Sequence, residues 1–253
     1  MSEQQSEFTV TTPLAKKSSS DKSLIFFKKA DGISYERFLH VWRKLHYPMA
    51  YLFSFDGYVQ NSKLPAQPKN MTSPYDGVVG VWFDTQEAKS STYASPFWHI
   101  ISRQEPMMLK QDSMRVLNVD EYVVLDGPIE KDQCYSKLII ASEKKPSVSH
   151  GALKDYWLSQ HAFDVIALMV ENEGLLRYTI SIVDNLPEQI NSADTEGNYS
   201  VVEEFWFQDT SMLEQALASK EWQAQKQAGS SFVSRQDEIV SEEFIGLLPT
   251  NYS

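Results

Sequence analysis

The sequence predicts an α+β fold in which one structural unit is used twice. Three observations predict it. Ser34, Phe38, Trp42 and His46 recur as Ser149, Leu153, Trp157 and His161, each pair 115 residues apart. Tyr75, Trp82 and Trp98 recur as Tyr199, Trp206 and Trp222, each pair 124 residues apart. Both sets are embedded in the same alternation of apolar β-type runs and helical periodicity. Repetition at this scale outweighs any single motif. The nine-residue difference between the two offsets is a loop insertion, where extra chain costs least.

The elements follow in order. Residues 1–22 are rich in Ser, Lys, Gln and Thr without periodicity and are expected to form a disordered tail. Leu24–Phe27 is a short apolar run before the Lys29-Ala30-Asp31-Gly32 turn, hence a strand. Ser34 caps a helix, with Glu36 in its positively polarised first turn. Phe38, Val41, Trp42, Leu45 and Met49 recur at three- and four-residue steps, so one face is buried. Trp42 and His46, four apart, sit one above the other, and Pro48 ends or kinks the helix beside His46. Gly57–Asn61 is a second strand, residues 64–74 a Pro- and Ser-rich loop, and Val78–Phe83 a third strand rich in β-branched and aromatic residues. Asp84-Thr85 caps a second helix running to about Ser102 with Pro96 inside it. Asp120–Leu125 is the fourth strand, closed by Asp126-Gly127-Pro128.

The second half repeats this order: a strand at Ser136–Ser142, a helix from Ser149 to about Val165, a strand at Leu175–Val183, a loop at Leu186–Asn198, a strand at Tyr199–Phe207, a helix from Asp209-Thr210 to about Gln227, and a strand at Glu242–Leu248. A βαββαβ order is the ferredoxin-like unit. The chain therefore divides into a first repeat at 23–128 and a second at 135–249. One such unit covers a single sheet face with helices and leaves the other bare. Strands 78–83 and 201–207 carry large apolar side chains on both faces, so the two sheets are expected to pack against each other around a pseudo-twofold axis.

Composition limits the function classes. Of 253 residues, 42% are apolar and 12% aromatic, enough for a core and an apolar pocket. Lys plus Arg (23) against Asp plus Glu (34) gives a net charge of −11. No basic surplus exists to displace counterions, which excludes nucleic acid and anionic membrane as expected partners. Cys134 is the sole cysteine, so neither an intrachain disulfide nor a cysteine metal cluster is available. The N-terminal M-S-E-Q-Q-S-E-F lacks the basic start and apolar run of a signal peptide, and no stretch approaches the ~20 apolar residues of a membrane span. The expected location is cytoplasmic.

The segment W-R-K-L-H-Y-P (42–48), with Tyr58-Val59-Gln60-Asn61, Tyr75-Asp76-Gly77 and Val81-Trp82-Phe83-Asp84 downstream, resembles the EthD family of the dimeric α+β barrel superfamily. The resemblance covers residues 22–127 well. It covers 135–248 more loosely, because Phe163 replaces the proline, Leu158 replaces the arginine and no Asp-Gly follows Tyr199. It implies that two ferredoxin-like units pack sheet to sheet as a barrel, here within one chain. Members include proteins tied to ether degradation and to fungal polyketide dehydration.

His46 and His161 lie near helix ends, where the dipole favours the imidazolium, and imidazole exchanges a proton near neutral pH. They are the candidate catalytic residues; the plainer role is a histidine that bonds a carbonyl and fixes the bend. Arg43 suits a carboxylate or enolate oxygen, or an ion pair with Glu36 or Asp56. Tyr58 and Tyr75 carry hydroxyls able to orient a ligand, and Tyr199 is the second copy of Tyr75. Trp42, Trp82, Trp157 and Trp206 serve as core, pocket wall or both. The first repeat is expected to hold the better-formed pocket, since it keeps Arg43, Pro48 and Asp76-Gly77.

No H-E-x-x-H spacing, Gly-rich phosphate loop or G-x-S-x-G elbow is present, so neither metal nor cofactor is expected. The expected function is a cofactor-independent lyase or isomerase, of dehydratase or cyclase type, using histidine acid/base chemistry on a small apolar, aromatic or polyketide-like molecule. The alternative is a non-catalytic small-molecule-binding protein using the same apolar barrel pocket. Either works as a monomer with an internal pseudo-dimer or as a homodimer of it.

Overall fold

Each repeat builds four antiparallel strands, and their order follows from which faces must be covered. The computed structural model describes residues 14–68, 71, 73–169, 174–183 and 198–252. The first repeat comprises β2 (Asp21–Lys29), α1 (Tyr35–His40), β3 (Gly57–Lys63), β4 (Gly77–Phe83), α2 (Gln86–Ala94), α3 (Pro96–Ser102) and β5 (Leu109–Leu125), preceded by the two-residue β1 (Lys16–Lys17). The second comprises β6 (Ser136–Lys144), α4 (His150–Tyr156), α5 (Ala162–Met169), β7 (Leu175–Val183), β8 (Val201–Phe207), α6 (Thr210–Ala218), α7 (Lys220–Gly229) and β9 (Val233–Leu247). The sheet orders, β5-β2-β4-β3 and β9-β6-β8-β7, are the same ferredoxin-like order used twice.

Among the described residues eight strands close into one antiparallel barrel. The halves join edge to edge: β3 pairs β9 from Tyr58↔Leu247 to Lys63↔Ser241, and β5 pairs β7 from Val119↔Val183 to Leu125↔Tyr178. Closure removes both sheet edges. It also explains why every residue of β4 and β8 is buried: one face meets the barrel interior, the other the helices.

The helices begin where the sequence places them. Ser34 and Ser149 accept from Arg37 N and Ala152 N, and Thr85 and Asp209 accept from Ala88 N and Met212 N. Both long helical runs split again at a serine, Ser95 before Pro96 and Ser219 before Lys220. After α1 the chain widens into π turns over Val41–His46 and tightens into a 3₁₀ turn over Tyr47–Leu52, so the expected kink lies at His46. The second repeat has the same π segment at Trp157–His161. Gly32, at φ 83°, makes the turn before α1.

Three expectations are corrected. The tail does not extend to residue 22: Lys16–Lys17 and Asp21–Lys29 are strands and Lys22 is buried, while residues 1–13 lie outside those described. Most of the 186–198 loop lies outside them too. The fourth strands are longer than expected, beginning at Leu109 and Val233, because each first pairs within its own repeat and then crosses to the other. The barrel interior is filled rather than a ligand pocket.

That filling is polar and symmetric. Lys22 faces Trp82 across β2–β4, and Lys137 faces Trp206 across β6–β8. Lys22 pairs with Glu121 at 2.6 Å and with Glu204; Lys137 pairs with Glu204 at 2.7 Å and Glu243 at 3.0 Å. Trp82 Nε1 donates to Glu121 (3.2 Å) and Trp206 Nε1 to Glu243 (2.9 Å). Glu204 thus bridges both lysines. Its counterpart 124 residues earlier is Gly80, where a Cβ would meet the Trp82 ring at 2.6 Å, so one carboxylate serves both halves. Burial pulls the Lys22 pKa down, but Glu121 and Glu204 outweigh it and hold the ammonium charged.

Candidate functional site

A cavity of about 380 Å³ lies in the first repeat, outside the barrel, between the outer face of its sheet and the helices covering it. Its sheet wall includes Phe27, Tyr58, Val79 and Val81; its helical wall includes Trp42, His46, Tyr93 and Trp98. The volume falls in the range of small-molecule sites, about 300–1,000 Å³. Trp42 is held edge-on to Phe27 (4.9 Å) and stacked on Phe38 (5.2 Å), which fixes the floor.

His46, the last residue of the π segment, lines this cavity and has no hydrogen-bond partner among the described residues. Burial pushes its pKa down to about 4, so the imidazole is neutral at pH 7, with the helix-end effect outweighed. Glu105 lines the same cavity, and burial pushes its pKa up to about 7. Tyr58 accepts from Gln60 Nε2 at 3.0 Å, and burial raises its hydroxyl to about 12. Lys89, also lining, donates to Asn118 Oδ1 at 2.8 Å, and burial lowers its pKa. An apolar chamber thus holds a neutral base and a carboxyl near its titration midpoint.

The second repeat fills the equivalent space. The positions of Val79 and Ile101 become Glu203 and Gln225 by the 124-residue offset. His161 Nε2 lies 2.7 Å from Glu203 Oε1, Gln225 Nε2 lies 2.9 Å from the same ring nitrogen, and Tyr178 donates to Glu203 at 2.6 Å. His161 stacks on Trp157 at 4.5 Å and is 3% exposed. Burial would raise the Glu203 pKa, but His161 outweighs it and holds the carboxylate ionised. His161 does not line the first-repeat cavity.

Of the ten residues singled out from sequence, His46, Trp42 and Tyr58 meet at the first-repeat cavity. Arg43 does not: it reaches Ser62 (2.7 Å) and Glu242 (2.9 Å) and so ties the first repeat to β9 instead of to Glu36 or Asp56. Trp82 and Trp206 belong to the barrel interior, and Trp157 to the second-repeat core. Tyr75 and Tyr199 meet in the barrel near Asp237. Sequence reasoning missed Glu105, Lys89 and Trp98; the 124-residue repeat of Trp98 was the one available signal. Among the described residues no group of three or more His, Cys, Asp or Glu is arranged to hold a metal ion, and no helix is long and apolar enough to cross a membrane.

Comparison with known proteins agrees with this architecture. The EthD domain model matches residues 145–235, within the second repeat, where the resemblance of the sequence motifs is the looser one. An anthrone oxidase-like protein is similar in structure, with TM-score 0.63 at 10% identity over 92% of this chain and 97% of that one. A candidate monooxygenase from Fusobacterium nucleatum gives 0.58 at 9% identity over 89% and 93%. Another from Lactobacillus acidophilus gives 0.50 at 9% identity over 92% and 97%. At such identities the likeness is one of fold. No curated protein matches the chain in sequence. The EthD domain match thus falls within the second of two ferredoxin-like repeats, which together close one barrel within a single chain, the fold seen in dimeric α+β barrel proteins.

Proposed function

We propose that the chain is a cofactor-independent lyase or isomerase, of dehydratase or cyclase type, acting on a small aromatic or polyketide-like carbonyl compound in the first-repeat cavity. The observation that carries this reading is His46, neutral and without a hydrogen-bond partner among the described residues, on the wall of a largely apolar chamber that Glu105 also lines. A neutral imidazole accepts a proton from a carbon next to a carbonyl, and the C–H electron pair moves onto the carbonyl oxygen as an enolate. Protonated Glu105 or the Tyr58 hydroxyl donates to that oxygen. Expulsion of a β-hydroxyl as water, or attack of the enolate carbon on a second carbonyl, completes dehydration or cyclisation. His46⁺ returns its proton to the departing oxygen in the first case and to the new alkoxide in the second. An anthrone, named in one structural neighbour, is a molecule of the right class.

A passive binding protein is the second reading. Against it stand the two titratable groups, His46 and Glu105, held in apolar surroundings at a cost that ligand retention does not require. His161, tied to Glu203, takes a structural role. Residues 23–128 and 135–249 act as unequal EthD-type repeats: the first holds the cavity beside His46, and in the second His161 is bonded to Glu203 and Gln225. One chain closes the barrel, so a monomer suffices, and the lone exposed Cys134 suits a reducing cytoplasm. The test is a panel of bicyclic and tricyclic aryl ketones assayed for binding and product with wild type and His46→Ala, with melting temperature as the folding control. Product lost with binding retained supports the enzyme; a ligand bound but unchanged by wild type overturns it in favour of the binder.

A further inference from the structure

A second cavity, of about 260 Å³, lies at the barrel end near Tyr75 and shares no residue with the first. Four cationic side chains line it: Lys28 from β2, Lys110 and Arg115 from β5, and Arg235 from β9. Only one lining residue, Asp112, is a carboxylate. This concentration of positive charge occurs in a chain of net charge −11. Partners outside the lining offset part of it. Lys110 reaches Asp31 at 3.2 Å, but the Asp31 side chain is 85% exposed, so water weakens the pair. Arg235 reaches Asp237 at 3.0 Å, but Asp237 also takes the Tyr199 hydroxyl. Lys28 has no ion-pair partner among the described residues.

The pseudo-twofold axis gives this cluster a second, independent meaning. Phe26 and Ala141 are equivalent by the 115-residue offset; their cross-strand partners are Arg115 and Asp237. The second repeat therefore sets a carboxylate beside its tyrosine, and the first sets a guanidinium at the matching place. The Tyr75 hydroxyl feels the exchange. Burial raises its pKa, while Arg115 and Arg235 both pull against that rise. Tyr75 and Ser113 form buried parts of the wall of this half-open recess. Ser113 is already committed, accepting from Lys28 N at 2.9 Å and donating to Lys110 O at 2.5 Å, and this fixes the backbone that carries two of the cations.

We propose that this recess is a binding site for a small multiply charged oxyanion, a dicarboxylate or a phosphate group, held by Lys28, Lys110, Arg115 and Arg235. Guanidinium and ammonium groups lining one recess match such an anion in charge, with Arg115 positioned by the bonds its Nη1 donates to Asp112 O (3.1 Å) and Met114 O (2.9 Å). The site is separate from His46 and Glu105, so the two readings stand or fall independently.

The experiment is calorimetric titration of the full chain at low salt with inorganic phosphate and, separately, malonate. At least one anion is expected to bind, with affinity falling as salt is added. Preference for phosphate identifies a phosphate-bearing ligand, and preference for malonate a carboxylate one; either supports the site. Lys28→Met/Arg115→Gln is expected to weaken binding by about tenfold or more. Lys131→Gln/Lys220→Gln, which removes the same charge from exposed positions elsewhere, is expected to leave it within about twofold. If the first pair disturbs folding, Lys28→Met alone decides, because that side chain makes no ion pair. Binding of neither anion, or equal loss in both double variants, or no change in Lys28→Met, overturns the proposal.

Discussion

Tyr75 and Tyr199, the same position in the two repeats, meet inside the barrel with their hydroxyls 3.2 Å apart. A pair related by the internal offset can touch only on the pseudo-twofold axis. Glu204, bridging Lys22 and Lys137, occupies the same axis deeper in the barrel. The axis is thus lined by polar groups that hold the halves together, and the first-repeat cavity lies away from it.

Glu204→Gln is expected to leave two buried ammonium groups short of a counter-charge and to cost about 3–5 kcal/mol. Burial would raise the Glu204 pKa, yet Lys137 and Lys22 bring it down to about 2, below its ordinary 4.5. A depressed carboxylate contributes stability above the unfolded value and loses it as pH falls through the folded one. Denaturant melts of wild type should weaken between about pH 4.5 and 2, and the Gln variant should lose less over that interval.

The two repeat-related histidines should behave oppositely. His161→Ala removes the partner of buried Glu203 and is expected to cost about 3–5 kcal/mol of stability. Turnover per folded molecule should hold. His46→Ala should do the reverse, with the melting temperature within a few degrees of wild type, as expected where no hydrogen bond is lost. Thermal melts of both variants beside their rates check this; equal destabilisation would contradict the division of roles.

The pH–rate profile should have two limbs. Rate rises through about pH 4 as His46 loses its proton and falls through about pH 7 as Glu105 loses its own. Glu105→Gln keeps a neutral donor, so the alkaline limb should disappear while the acid limb stays. Stability gives a second readout. Folded Glu105 holds its proton more tightly than unfolded, so its contribution is lost as pH rises through about 7. The Gln variant should therefore gain melting temperature over wild type at pH 8 more than at pH 5. An alkaline limb that survives the substitution would remove Glu105 from the reaction.

The repeated offsets and the helix caps made the fold legible, because both are local or periodic signals. The missed strand segments are those where long-range pairing overrides composition. Leu109-Lys110 and Arg235-Gln236-Asp237-Glu238 carry no strand pattern of their own, yet they pair with β2 and β6. Lys22 reads as tail because Glu121 and Glu204, which bury it, are distant in sequence. The π turns have no sequence mark. For the site, the W-x-x-x-H motif found His46 and Trp42, but the cavity was expected inside the barrel. Alternation assigns residues to faces without showing which side of the sheet is left empty. Glu105 belongs to no motif; only its burial distinguishes it.

In the proposed reaction, neutral His46 takes a proton from carbon inside the first-repeat cavity. The most direct measurement is deuterium incorporation at the carbon beside the carbonyl of 1-tetralone in D₂O, followed by proton NMR with wild type and His46→Ala. Wild type is expected to accelerate exchange and His46→Ala to lose about 10²–10⁴-fold of that acceleration, with 1-tetralone still bound and the fold intact. Exchange at the same rate in both proteins, with the ligand bound in both, would contradict it.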